Sequence, residues 1–200
     1  MKIAEHYDLL IANGNDPMLD SEELKNYMDK WDGNLFVSEM NPDKCLNVLE
    51  IGCGTGRMAA KIAGEYKSYT GIDLSSASIK RAEEHFAKYD NMNFICGDFL
   101  EYSFRSRFDV IFSTLVFMHI KDKLSAYKKI YGLLPLKGKF VLSIDKNQAP
   151  YIDTGYSRID VYPDNPEKTE CLLKCAGFKS LSRRETEFAF IFTALKEFDE

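Results

Sequence analysis

Residues 50–56, Glu-Ile-Gly-Cys-Gly-Thr-Gly, set three glycines at alternate positions between an apolar run (Leu46, Val48, Leu49, Ile51) and an amphipathic segment. Small residues at a strand-to-helix turn let backbone N–H groups approach a ligand that a Cβ would hold off. A dinucleotide fingerprint counted from Gly52 requires a small residue at position 57, and that position is Arg57. Two carboxylates close later apolar runs: Asp73 in Gly71-Ile72-Asp73-Leu74 and Asp98 in Gly97-Asp98-Phe99. A carboxylate at the end of a second strand can accept hydrogen bonds from both hydroxyls of a ribose. His119 follows the fourth apolar run and its imidazole titrates near neutrality, which makes it the candidate general base. The same stretch, 117–120, also reads as a plain turn into the next helix.

These residues need a scaffold that brings strand ends together. Across 45–145, strand-like runs alternate with helix-like segments at 57–65, 75–89 and 122–134, which predicts a parallel sheet covered on both faces. Residues 1–44 read as helices: 2–12 is amphipathic, Asn13-Gly14-Asn15-Asp16-Pro17 breaks the chain, and Leu24, Tyr27, Met28 and Trp31 recur at helical spacing. A polar and aromatic connection at 146–166 is longer than most loops in compact domains, so it carries function or extra structure. A helix at 167–176, stopped by Gly177, and strands at 178–184 and 187–195 complete the chain.

Glu-x-Gly-x-Gly-x-Gly at 50–56, Gly-Ile-Asp at 71–73, Gly-Asp at 97–98, the fourth strand at 108–113 and Leu133-Leu134-Pro135-Leu136-Lys137-Gly138-Lys139 stand in the order of a known set of motifs. The chain resembles the class I S-adenosylmethionine (SAM)-dependent methyltransferases over roughly residues 45–195. Pro135 is displaced and Lys139 replaces a glycine of the family's turn. The resemblance implies a Rossmann-like, seven-stranded, mostly parallel sheet of order 3-2-1-4-5-7-6 with helices on both faces. It implies a helical cap at 1–44 and a SAM-binding unit at 45–200. Glu50, Gly52, Cys53, Gly54, Gly56 and Thr114 would meet the methionine part of SAM, Asp73 with Leu74 the ribose, and Asp98 with Phe99 the adenine. Glu50 reads equally as a residue that only braces the loop, and Arg57 as a solvated helix-face cation.

The acceptor is less defined. Tyr7, Tyr27 and Trp31, with Tyr151, Tyr156 and Tyr162, are candidates for a lid that shields a sulfonium and shapes a pocket, although Trp31 also suits ordinary core packing. Ser113-Thr114-Leu115-Val116 stands where base-modifying amino methyltransferases carry Asp/Asn-Pro-Pro-Tyr/Phe. Catechol-type relatives place a metal-binding Asp after the fourth strand, and protein arginine methyltransferases a paired-glutamate hairpin; neither pattern occurs. The expectation is metal-independent methylation of a small molecule, against an NAD-dependent oxidoreductase or a non-catalytic SAM-binding module as alternatives.

At 200 residues the chain suits one domain, with 45% hydrophobic and 28% charged residues, as in ordinary globular proteins. A net charge of -5 argues against nucleic acid. No apolar run approaches the roughly 20 residues of a membrane span and the start lacks a signal-peptide core, so the expected location is the cytoplasm, as a monomer or homodimer. The five cysteines form no ligand pattern, and Cys171 and Cys175 read as small side chains facing a core. His6 and His85 have weaker claims to chemistry, His85 as an exposed helix position.

Overall fold

The computed structural model describes residues 1–197. Strands β1 (Asn47–Ile51), β2 (Ser68–Asp73), β3 (Met92–Cys96), β4 (Val110–Thr114) and β5 (Lys139–Asp145) run parallel. β9 (Ala189–Leu195) pairs antiparallel with β5 and with β8 (Ser180–Glu185). The sheet order is β3-β2-β1-β4-β5-β9-β8. This is the expected order; the last two strands take higher numbers because the 146–166 connection holds a hairpin of its own, β6 (Tyr151–Asp153) and β7 (Arg158–Asp160).

Successive strand residues point to opposite faces, and in this sheet both faces are apolar. Val48, Val110, Phe112 and Val141 pack beneath α3 (Gly33–Met40), α4 (Arg57–Ile62) and α5 (Ser76–Phe86). Their neighbours Leu49, Ile111, Phe140 and Leu142 pack against α6 (Lys123–Leu133) and α7 (Pro166–Cys175). The near-continuous apolar runs are therefore buried on two sides, as parallel sheets require. Side-chain caps start α5 and α6: Ser75 accepts from the Ser78 N–H at 3.0 Å and Asp122 from the Ser125 N–H at 3.1 Å. Asn165 caps α7 with Pro166 in its first turn.

Residues 1–44 contribute α1 (Ile3–Ala12), a 3₁₀ turn (Pro17–Leu19), α2 (Glu22–Met28) and α3. α3 lies beyond the two helices that the sequence separated; it buries Phe36 and Met40 against the sheet. α1 is fastened by polar contacts at three places. Asp8 accepts from the Ser75 hydroxyl (2.7 Å) and the Ala77 N–H (3.0 Å) at the start of α5, His6 Nδ1 meets the Ser157 hydroxyl of the hairpin turn (2.6 Å), and Tyr7 meets His119.

Three sequence expectations differ from the structure. Cys171 and Cys175 are exposed rather than core-facing, because α7 turns Thr169 and Leu173 inward. His85 is largely covered: its Nε2 lies 2.8 Å from Asp16 Oδ2, with a side chain 15% exposed. Arg57 is not a solvated cation. Its guanidinium grips the fully buried Asp32 through both carboxylate oxygens, at 2.9 and 2.5 Å.

Candidate functional site

Ligands in an open α/β sheet collect beyond the carboxyl ends of the strands, where the order reverses. Here that point lies between β1 and β4, and a cleft of about 610 Å³ opens there, within the range of about 300–1,000 Å³ usual for cofactor sites. The glycine turn forms its floor. Gly52 has a φ of +74°, and a Cβ there would come within 2.2 Å of Val116; Gly54, at φ +53°, has open space where a Cβ would stand. One glycine thus lets the β4 loop approach, and the other leaves a cradle that a side chain would fill.

Asp73 ends β2 and ties two elements to this cleft. One carboxylate oxygen accepts the Gly54 N–H (2.9 Å) and the other the Ser75 N–H (2.9 Å). Each oxygen keeps a second lone pair, so bracing the turn leaves acceptors for a ligand. Leu74, 38% exposed, and buried Phe99 line the same cleft. Asp98 lines it too, with Oδ1 holding the Leu100 N–H at 2.7 Å in the turn after β3. Cys53 and Thr114 are buried along its wall. The structure brings all ten sequence-selected binding positions except Gly56 to the cleft wall; Gly56 is the N-cap of α4, packed against Phe86.

Glu50 is buried beneath the turn, where its Oε2 accepts the Tyr69 hydroxyl at 2.5 Å. Burial pushes its carboxyl up to about 8, against the pull of the Tyr69 hydrogen bond and the Arg57 charge. The folded chain therefore holds a proton that the unfolded chain releases near its ordinary value of 4.5. This contribution to stability is whole below the unfolded pKa and is lost as pH rises towards the folded one. Relative to Glu50→Gln, the free energy of unfolding should fall by up to about 1.4 kcal/mol per pH unit through that window, then level off. Urea unfolding of both proteins across the window measures this; parallel profiles would show that Glu50 is not desolvated.

A second cavity, of about 240 Å³, adjoins the cleft, and Tyr7, Met28 and Leu115 line both. Leu115 holds a left-handed φ of +58°, uncommon outside glycine, where the two spaces meet. The far wall comes from the 146–166 connection, held in place by Lys123. The Lys123 ammonium donates to the Phe117 and Tyr162 carbonyls (2.8 Å each) and to Asp164 (2.6 Å). The Tyr162 N–H donates in turn to the Met118 carbonyl at 2.7 Å. Of the lid candidates, Tyr7, Trp31 and Tyr151 line this cavity. Tyr27 instead packs on Trp31 and Phe188 at the surface, and Tyr156 and Tyr162 are exposed and line neither space.

His119 reaches the cleft wall with Nε2 2.8 Å from the Tyr7 hydroxyl. Burial, reinforced by the charges of His6 and Lys123, drives its imidazole down to about 4, and burial holds the Tyr7 phenol well above its usual range. Tyr7 thus keeps its proton and the imidazole is neutral, with one hydrogen bond joining the Tyr7 hydroxyl to Nε2 and with Nδ1 buried without a partner among the described residues. A neutral, weakly basic imidazole differs from the near-neutral base that the sequence suggested. Met28, Met118, Asp145 and Asn147 are wall residues that the sequence reading passed over. Asp145 carried a usable signal, since it ends β5 on the ligand-bearing edge of the sheet.

Residues 42–173 match the family model described as a methyltransferase domain. Malonyl-[acyl-carrier protein] O-methyltransferase 1 of Ilyobacter polytropus is 34% identical over 107 residues, 52% of this chain and 40% of that protein. The chain thus spans less than half the length of that relative. Among solved structures, a DhpI complex with S-adenosylhomocysteine (SAH) superposes with a TM-score of 0.77 at 15% identity, over 97% of this chain and 95% of that one. Phosphoethanolamine N-methyltransferase 2 of Haemonchus contortus in complex with SAM gives 0.67 at 19% identity, over 80% and 51%. These two likenesses concern the fold. With the glycine turn, the carboxylate of β2 and the strand order all in place, the family match over most of the sheet has its structural counterpart: the chain belongs to the methyltransferase domain family.

Proposed function

We propose that this chain is a SAM-dependent methyltransferase, with SAM in the larger cleft and a small-molecule acceptor in the adjoining cavity. The observation that carries the reading is the joining of the two spaces at Tyr7, Met28 and Leu115, directly beyond a glycine turn braced by Asp73. The residues fit the cofactor. The Gly52–Gly54 cradle, with Glu50 and Thr114 behind it, would hold the methionine part; Asp73 and Leu74 the ribose; Asp98 and Phe99 the adenine. Carboxylates at two of these positions, Asp73 and Asp98, suit a ligand that carries a sulfonium and an ammonium, while buried Glu50 keeps its proton up to about pH 8. When bound, SAM supplies an activated methyl group whose leaving sulfur departs neutral.

The chain's own residues then have to orient the acceptor and exclude water. Tyr7 is placed for both tasks at the junction, and His119 fixes the direction of its hydroxyl. Residues 1–44 act in this reading as a cap over the unit at 45–200, which the fastening of α1 to α5, the hairpin and His119 supports. We read the enzyme as a cytoplasmic monomer or homodimer acting on a small molecule rather than on nucleic acid; the net charge of -5 supports the last point. Among the described residues no helix is long and apolar enough to cross a membrane.

Thermal unfolding with SAM, SAH and NAD tests the cofactor assignment. Saturation at about 100 times the dissociation constant should add about 2.7 kcal/mol of stability with SAM and SAH, and none with NAD. Stabilisation by NAD alone would overturn the reading in favour of an oxidoreductase. Tight SAM binding with no methylated product from any metabolite pool would favour a binding module.

A further inference from the structure

The smaller cavity has a one-sided charge. Its walls include the rings and thioethers of Tyr7, Trp31, Tyr151, Met28 and Met118, and its ionisable groups besides the tyrosines are two carboxylates, Asp145 and Asp164; among the described residues no Lys, Arg or His lines it. Asp164 is compensated by Lys123 at 2.6 Å. Asp145 takes part in no ion pair among the described residues; its Oδ1 accepts only the Asn147 N–H, at 2.8 Å. The nearby Arg158 stacks 3.8 Å from the centre of the Tyr151 ring and is not part of the wall. A carboxylate or phosphate entering this space would leave water to face an uncompensated negative charge. An ammonium would gain a charge-assisted hydrogen bond to Asp145 and the faces of aromatic rings.

We propose that the cavity takes a compact amine on an apolar or aromatic body, and that the amine nitrogen is the methyl acceptor, with Asp145 as the residue that selects it. This deepens the methyltransferase reading above and rests on it. A volume of about 240 Å³ limits the occupant to a small molecule. The nucleophile also suits the site's weak basicity. An alcohol would have to lose its proton to an enzyme group as it reacts, and His119 with Tyr7 offers no strong base. An amine recognised as its ammonium gives one proton to water before the methyl transfer and stays hydrogen-bonded to Asp145 through a remaining N–H, so no enzyme base is needed in the transition state. The amine lone pair then forms the N–C bond to the methyl carbon as the C–S bond breaks, the electron pair of that bond staying on sulfur. The positive charge passes to the methylated nitrogen, which releases its proton to water.

Titration calorimetry on the full chain saturated with SAH tests this with three probes of one shape: 2-phenylethylamine, 2-phenylethanol and 3-phenylpropanoate. The amine should bind about tenfold more tightly than the carboxylate, and Asp145→Asn should remove most of that preference while SAH still binds. Label from methyl-labelled SAM should appear in the amine alone. Tighter binding of the carboxylate, an amine affinity untouched by Asp145→Asn, or no probe bound to SAH-loaded protein would overturn the proposal while leaving the cofactor site standing. Failure of SAH itself to bind, seen in the first titration, removes the methyltransferase reading and the amine site with it.

Discussion

Arg57→Leu should destabilise the protein by about 3–5 kcal/mol, read as a lowered urea midpoint with an unchanged slope. The magnitude follows from what is left behind rather than from the bond removed. Asp32 is fully buried, caps α3 through the Gly33 N–H at 2.7 Å, and has both carboxylate oxygens on the Arg57 guanidinium. Without the arginine, a carboxylate is held out of water with no counter-charge. The effect should also spread to the turn, since Arg57 lowers the cost of charge on Glu50. Asp32→Asn keeps the cap and removes the charge, so the double variant should recover much of the loss, with a coupling of about 1–3 kcal/mol. A cost below about 1 kcal/mol for Arg57→Leu, or strictly additive variants, would mean that the pair does not join the N-terminal helices to the cofactor turn.

That pair shows where the sequence stops being legible. The parallel strands could be read because most announce themselves locally, by an apolar run that ends at a glycine or an acidic residue on the ligand-bearing edge; their order came only with the family resemblance, since periodicity does not establish it. The glycine turn, Asp73 and Asp98 inherit their positions from that pattern. Arg57 and Asp32 lie 25 residues apart and Tyr7 and His119 lie 112 apart, and no local periodicity marks either contact. The imidazole of His119 was visible as a residue type, but its weak basicity comes from burial under α1 and the connection, which only the folded chain supplies. The hairpin escaped for a related reason: Tyr151–Asp153 and Arg158–Asp160 are each three residues long, too short for alternation to separate strand from loop. Cys171 and Cys175 failed in the opposite way. Their spacing was legible, but which face of α7 turns inward is set by Leu173 and by Phe178 beyond the helix.

Asp73→Ala should weaken SAM binding by at least about 100-fold, roughly 3 kcal/mol, measured by calorimetry on the purified chain. Two losses combine. The carboxylate offers its remaining lone pairs to the ribose hydroxyls, each charge-assisted bond contributing about 1.5–3 kcal/mol. The same oxygens fix the Gly54 and Ser75 N–H groups, so the alanine variant also loosens the cradle that meets the rest of the ligand. Asp73→Asn separates the two. One amide oxygen can still brace a backbone N–H, while the NH₂ group turns an acceptor into a donor and the charge is gone. The asparagine variant should therefore keep more of the apo-protein's thermal stability than alanine, yet still bind SAM at least about 10-fold more weakly than the parent. The burial of Asp73 raises its pKa above the ordinary carboxylate value, so removing the charge need not cost the empty protein stability. If SAM affinity follows stability across the two variants, Asp73 acts only as a brace and the ribose assignment is lost. If affinity falls in asparagine while stability holds, the carboxylate contacts the ligand directly.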